Sequence, residues 1–303
     1  MVTEKQINVK GKKYWILIHS VRKGKKVIQK KKYIGKELPS EQRLEHLKKE
    51  FLKELSGEKY KYLSKDDLEE IEEKKEKYKQ ELRNLSDSEK QNKLNEFIIR
   101  YTYDSSKLSG INITLRQTFL ILKKGIIPKD FKSLRIAKEL ENHEKCFMAI
   151  TKYKGKFDIK FIKKLHTTLF SGVDDNIKGK LRSELKRDVK IAGTSYVPPK
   201  WNEIEKELYN LFKWYNSENR RLHPLELASL VHLNLISIQP FADGNSRLSR
   251  LLMNWILWKK AYPLVDIPVE DLENYYDVLD KYQIEKDEKP FIRYIIKKYL
   301  NQN

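Results

Sequence analysis

The sequence predicts a mainly α-helical protein with two small β-elements. Three observations carry this. From Asn92 onward, apolar residues recur at helical spacing in one segment after another. Gly179, Gly193, Pro198 and Pro199 cluster instead in 176–199, around a β-leaning run from Asp188 to Val197. Near the N-terminus, Tyr14 to His19 is a short β-favouring run, and Lys23-Gly24-Lys25 reads as a turn into a second run with Val27, Ile28, Tyr33 and Ile34.

In chain order, residues 13–36 read as a β-hairpin closed by Pro39, and Ser40 is placed to cap the following helix. Leu44, Leu47, Phe51, Leu52 and Leu55 form its apolar stripe. Residues 66–83 make a charged helix whose thin stripe is Leu68, Ile71, Tyr78 and Leu82. Helices follow at Asn95–Tyr103, at Thr114–Leu122 with Asn112 as its cap, at Phe131–Ile150 and at Asp158–Leu169. Residues 176–199 read as a loop with a short hairpin. Helices return at Trp201–Asn216, Leu225–Ile238, Arg247–Lys260, Glu270–Tyr282 and Pro290–Leu300, and Pro224 suits a first helical position. The expected organisation is a basic hairpin over 1–38, a charged helical segment over 39–92 and a helical domain over 93–303.

The chain has 303 residues, 35% of them charged, and no apolar run of about 18, so no membrane span is expected. Its first residues lack the apolar core of a signal peptide, and the one cysteine, Cys146, suits a reducing compartment, so a cytoplasmic location is expected. The net charge of +20 is uneven. Residues 1–36 hold twelve lysines and arginines against one acid, Glu4. Such a block is a candidate nucleic-acid surface; the alternative is a solvated lysine-rich hairpin.

The stretch Ile238–Arg250, IQPFADGNSRLSR, is the most informative in the chain. A mostly apolar helix runs into Pro240-Phe241 and Asp243-Gly244-Asn245, and an amphipathic segment follows at once, with Leu248, Leu251, Leu252, Trp255 and Ile256 at helical spacing. A tight turn feeding a helix N-terminus presents free backbone N–H groups and the positive end of the dipole. Arg247 and Arg250 in the first turn add planar forks for phosphate. Asp243 beside an anion site points to a bridging Mg²⁺, or alternatively to an Asx-type turn. Gly244 permits a left-handed backbone or close approach of a ligand.

This turn resembles the active-site loop of the Fic (Fido) family, H-P-F-x-D/E-G-N-G-R-x-x-R. Pro240, Phe241, Asp243, Gly244, Asn245, Arg247 and Arg250 match it, while Gln239 replaces the His and Ser246 the second Gly. Around it, His223-Pro224-Leu225, Gly179-Lys180-Leu181-Arg182, Gly193 to Pro199, Tyr275-Tyr276 and Pro290-Phe291-Ile292 resemble the segments that flank the family's loop. The resemblance implies a Fic-like helical domain with a small β-hairpin flap. It implies ATP and Mg²⁺ as cofactors, Asp243 as the metal ligand, and Gly244, Asn245, Ser246, Arg247 and Arg250 around the phosphates. AMP transfer to a protein hydroxyl is the implied reaction, with the target held by the flap near 187–195.

Two departures qualify that expectation. Gln239 has no titration near neutral pH and cannot act as a general base, so transfer is expected to be impaired. The alternatives are an inactive nucleotide- or protein-binding module and a nucleic-acid-associated regulator. Of the nearby histidines, His232 is expected to be a core residue and His223 structural. Ser105-Ser106-Lys107-Leu108-Ser109-Gly110 resembles the family's inhibitory segment, with Ser109 in place of its Glu. With no carboxylate there, Arg250 is expected to be free.

Overall fold

A computed structural model describes residues 2–9, 11–23, 26–56, 60–129, 131 and 133–302. The backbone divides into two compact units, Met1–Glu69 and Glu70–Asn303.

In the first unit three antiparallel strands, β1 (Val2–Val9), β2 (Lys12–Lys23) and β3 (Lys26–Gly35), lie in the order β1-β2-β3 and are followed by helix α1 (Glu41–Ser56). The expected hairpin is therefore two strands of a sheet of three. β1 has apolar residues only at Val2, Ile7 and Val9, which breaks the period-2 signal; its full register against β2 supplies what local sequence does not. Residues 24 and 25 of the expected turn, and the side chains of Val27, Ile28, Leu52 and Leu55, lie outside what is described. Leu17, Val2, Leu44 and Phe51 form the core of this unit, with Ile34 and Leu47 packed against it.

The second unit is helical. Its elements are α3 (Asp87–Lys107), α4 (Leu115–Lys124), α5 (Leu134–Lys152), α6 (Ile159–Leu169), the short α7 (Arg182–Leu185), α8 (Ile204–Glu218), α9 (Pro224–Ile238), α10 (Asn245–Lys259), α11 (Leu272–Glu285) and α12 (Lys289–Gln302). Helix α2 (Lys65–Asn84) precedes them. Local capping explains most starts. Ser86 and Glu89 form a reciprocal capping box at α3, and Asp158 caps α6. Thr114, not Asn112, caps α4: its hydroxyl accepts from Gln117 N–H while the Gln117 side chain returns to Thr114 N–H. Helix α3 runs on to Lys107, a turn past the expected end at Tyr103, because Tyr101, Asp104, Ser105 and Ser106 are buried against the rest of the domain.

The core centres on α9, whose Leu225, Leu227, Ala228, Val231, Leu233 and Leu235 are fully buried. A helix buried all round needs neighbours on every side, and α8, α10, α11 and α12 supply them. Each of these leucines and the valine contributes roughly 1.5–3 kcal/mol on leaving water. Helix α10 is nearly as buried and also meets α3, α5 and α6. The turn between α9 and α10 is thus held at both ends by deeply buried helices.

The expected hairpin in 176–199 is not formed. Arg182–Leu185 is helical and no strand pairing occurs over 186–199. Side chains hold this segment instead: Thr194 Oγ1 donates to Asp280 at 2.8 Å, Tyr196 Oη to the Ser237 carbonyl at 3.0 Å, and the Asp188 carboxylate accepts from Trp201 N–H at 2.7 Å. Among the described residues no helix is long and apolar enough to cross a membrane.

Candidate functional site

Helix α9 ends at Gln239, which takes the left-handed conformation at φ 50°. Its last carbonyls lack intrahelical donors, and the buried Arg182 supplies them. The Arg182 guanidinium donates to the carbonyls of Gln239 at 2.6 Å, Ile238 at 3.2 Å and Pro199 at 2.7 Å, while its own N–H donates to the Pro240 carbonyl. Arg182 therefore positions the turn and binds it to the segment at Pro199.

The turn closes on Asn245. The Asn245 amide donates to the Phe241 carbonyl at 2.8 Å and to Gln239 Oε1 at 2.7 Å, and its oxygen accepts from Phe241 N–H. Gln239 Nε2 donates to the Ile236 carbonyl. Both ends of the Gln239 amide are thus engaged in holding the loop. Gly244 sits at φ 79°, and a Cβ there would lie 2.6 Å from the buried Phe170 ring. The glycine is required both by conformation and by space.

His166 was not singled out in the sequence, yet it is the second organiser of the turn. Its Nδ1 accepts from Gly179 N–H at 2.9 Å, so Nε2 carries the proton and donates to the Asp243 carbonyl at 3.1 Å. The ring stacks on Phe241, with centroids 3.8 Å apart. Burial, with Arg247 adding to it, lowers its pKa to about 4 even though the Asp243 carbonyl opposes the shift. His166 is neutral at pH 7, and its one lone pair is occupied.

At the start of α10 no side chain caps the helix, so the N–H groups of its first turn have no capping partner. The Asp243 side chain is 60% exposed, its Oδ2 3.7 Å from Arg247. Ser246 is half-buried in the first turn. Arg247 is buried; its Nη1 donates to Glu139 of α5 at 2.6 Å, its guanidinium lies 5.3 Å from the Phe170 ring centre, and its Nε has no partner. Glu139 was likewise missed, since a lone acid on an amphipathic helix carries no signal of a long-range partner.

Arg250 is not free. Its Nε donates to Ser105 Oγ at 3.0 Å, and its Nη2 to the Ser105 carbonyl at 2.6 Å and Ser109 Oγ at 2.8 Å. Hydroxyl and carbonyl oxygens accept from a guanidinium as a carboxylate does, so the substitution of Ser109 removes the charge and not the contact. Gly110 follows at φ 82°, where the chain turns out of α3. His232 is a buried core residue: Nε2 meets Tyr275 Oη at 3.0 Å and the ring stacks on Phe291, while Nδ1 has no partner. His223 caps α9 by accepting from Leu225 N–H. Cys146 is buried, and desolvation pushes its thiol up to about 12, which makes it unreactive.

An uncapped helix N-terminus, two guanidinium groups on one face and an exposed carboxylate are the donor set that a polyanion with a cation beside it would use. No group of three or more His, Cys, Asp or Glu able to hold a metal occurs among the described residues. A cation held by Asp243 would complete its shell from phosphate and water, which is how Mg²⁺ is usually bound.

The model of the Fic/DOC family matches residues 156–257, the stretch that contains this turn. Protein adenylyltransferase Fic of Drosophila erecta is 34% identical over 204 residues, 66% of this chain and 40% of that protein. The Drosophila yakuba protein of the same name is 35% identical over the same span. The chain spans about two fifths of the length of these relatives. A Fic-domain signalling protein of Bacteroides thetaiotaomicron superposes with a TM-score of 0.68 at 26% identity, covering 78% of this chain and 93% of its own. Fic-1 of C. elegans shares the fold, at 22% identity and a TM-score of 0.67 over 87% of this chain and 75% of its own.

Proposed function

Because this chain is a Fic (Fido) family protein, we propose that it binds ATP with Mg²⁺ on the Asp243–Arg250 turn and is a protein adenylyltransferase whose transfer step is suppressed by Gln239. The observation that carries this reading is the uncapped, buried start of α10, with Arg247 and Arg250 on it. Three parts of one ligand are answered there: the backbone N–H groups of the first turn, that of Asn245 among them, for one phosphate, and a guanidinium for each of two others.

Asp243 would hold the Mg²⁺, which supplies charge neutralisation of the phosphates. Arg247 and Arg250 orient the phosphate chain, and Arg182 and His166 keep the turn in shape beneath it. The segment 187–195, without strand partners, would offer backbone groups to a protein target. Among the described residues, neither Gln239 nor His166 offers a proton acceptor. The Gln239 amide does not titrate, and its oxygen already accepts from Asn245. His166 has no lone pair left. A hydroxyl attacking the α-phosphorus therefore keeps its proton, and losing a base of this kind costs roughly 10²–10⁴-fold in rate.

Calorimetry with ATP and Mg²⁺, together with transfer of label from α-labelled ATP to protein, tests this. The expected result is saturable nucleotide binding with little transfer, and a gain of roughly 10²–10⁴-fold in Gln239→His. Absence of nucleotide binding at millimolar concentration would show the turn to be a relic. Binding without any gain in Gln239→His would leave a nucleotide-binding module and no enzyme.

A further inference from the structure

Residues 1–36 of the first unit hold twelve lysines and arginines against one acid, and none of them belongs to the site above. The register of its sheet sorts those charges by face. Leu17 opposes Glu4 and Lys32, and Val2 opposes His19, so these side chains share one face. Helix α1 covers that face: Leu44 and Phe51 pack on Leu17, Lys48 pairs with Glu4 at 3.0 Å, and Glu50 lies 4.0 Å from Lys32. The only acid of residues 1–36 is therefore used on the helix side.

The opposite face is built differently. Strand by strand it presents Thr3, Lys5, Ile7 and Val9, then Lys12, Tyr14, Ile16, Ile18 and Ser20, then Gln29, Lys31 and Tyr33. It contains no carboxylate. Lys5, Lys12 and Lys31 are exposed and surround a centre in which Tyr14 and Tyr33 meet edge to face, with ring centroids 5.5 Å apart. Ile16, on the same face, is only 3% exposed, while Tyr33 keeps 59% of its surface exposed. From the row of Lys12 to that of Lys31 the face measures about 20 Å along the strands.

The geometry points to this sheet face as a binding site for single-stranded nucleic acid, with the exposed lysines on phosphates spaced along the strand and Tyr33 as a stacking platform for a base. A duplex keeps its base faces internal and gives an exposed tyrosine nothing to stack on. An acidic peptide would use the lysines but not the ring. An aromatic centre inside a cationic rim matches a polyanion that carries its own π-faces. This proposal does not depend on nucleotide binding in the second unit.

Fluorescence anisotropy of the full chain with a short labelled oligothymidylate is the test, repeated over a range of salt. Tyr33→Ala is expected to weaken binding by about 5- to 100-fold and Tyr33→Phe to retain it. Lys12→Gln and Lys31→Gln should each reduce the slope of log K against log salt by about 0.7. Lys13→Gln and Lys30→Gln, on the helix side, should leave that slope unchanged. The lysine variants keep the test sound if Tyr33→Ala loses its fold, which thermal unfolding would show. Binding a duplex or polyglutamate as tightly as the single strand would overturn the proposal. So would equal losses from the two sheet faces, or no binding at low salt.

Discussion

Arg247 and Arg250 lie three residues apart on α10, yet their sockets differ in charge. Arg247 is answered by the Glu139 carboxylate at 2.6 Å, with Asp243 3.7 Å away on its outer side. Arg250 is answered by the two oxygens of Ser105, the hydroxyl of Ser109 and, at 3.5 Å, that of Tyr275. One guanidinium is neutralised by the protein. The other is solvated by neutral oxygens and keeps its charge. The field of that charge reaches its neighbours: after desolvation, Arg250 adds to the lowering of His232, and both arginines add to the lowering of His143. A buried cation with neutral partners is poised for an anion; a buried ion pair is first of all a structural joint.

The joint is the place for the largest effect. Removing one partner of a buried pair leaves the other charge uncompensated, at roughly 3–5 kcal/mol. Glu139→Ala is therefore expected to lower unfolding stability by about that amount in urea titration. The exposed Asp243, screened by water, is a poor substitute. A loss below about 1 kcal/mol would mean that Arg247 already relaxes to solvent and that the two sockets are alike.

A second effect concerns the histidines packed near both sockets. His143, His166 and His232 are all held neutral by burial, with pKa values below the ordinary value of 6.5. For His166 the folded value is about 4, so between pH 6.5 and 4 the unfolded chain binds a proton that the folded one does not. Its stabilisation is complete above pH 6.5 and is lost as the pH falls towards 4, a change of about 3 kcal/mol. Urea unfolding at pH 7 and at pH 4.5 checks the sign, and His166→Gln should flatten the dependence. Stability that rises on acidification would contradict the neutral assignment.

The two sockets were not equally legible in the sequence. Both arginines are legible because a Gly-containing turn precedes them, and turn chemistry is local. The helices of the second unit are legible for the same reason, since their apolar spacing and caps lie within the segment itself. Glu139 and His166 are not, because their partners stand 108 and 77 residues away and neither residue sits in a local pattern. The absence of a charge at Ser109 was readable, but its consequence was misjudged: hydroxyls and a backbone carbonyl hold Arg250 where a carboxylate was thought necessary. The hairpin expected in 176–199 failed for a related reason. Its β-leaning residues find side-chain and helix partners instead of a second strand, and β-propensity records a fit to neighbours more than a backbone preference.

Restoring a charge to the neutral socket sharpens the contrast. Ser109→Glu places a carboxylate within reach of Arg250 and makes its socket resemble that of Arg247. Charge-assisted bonds are about twice as strong as neutral ones, so ATP bound as proposed would have to displace a stronger competitor. Weaker nucleotide binding by about 10- to 100-fold is expected in calorimetry with Mg²⁺. Unchanged affinity would mean that the phosphate chain does not reach Arg250.

The smallest effect comes from removing the competitor altogether. Ser109→Ala deletes one neutral acceptor at 2.8 Å and leaves the Ser105 hydroxyl and carbonyl in place. Ser109 is exposed, so water replaces the lost oxygen and the fold should be nearly unaffected. One net hydrogen bond is worth about 1 kcal/mol, which limits the gain in ATP affinity to about 5-fold. Glu139→Ala offers no such gain, because its disruption reaches the fold before it reaches the ligand. If Ser109→Ala instead weakened ATP binding, the hydroxyl would be a ligand contact and not a competitor, and Arg250 would need it to stay aimed at the phosphate.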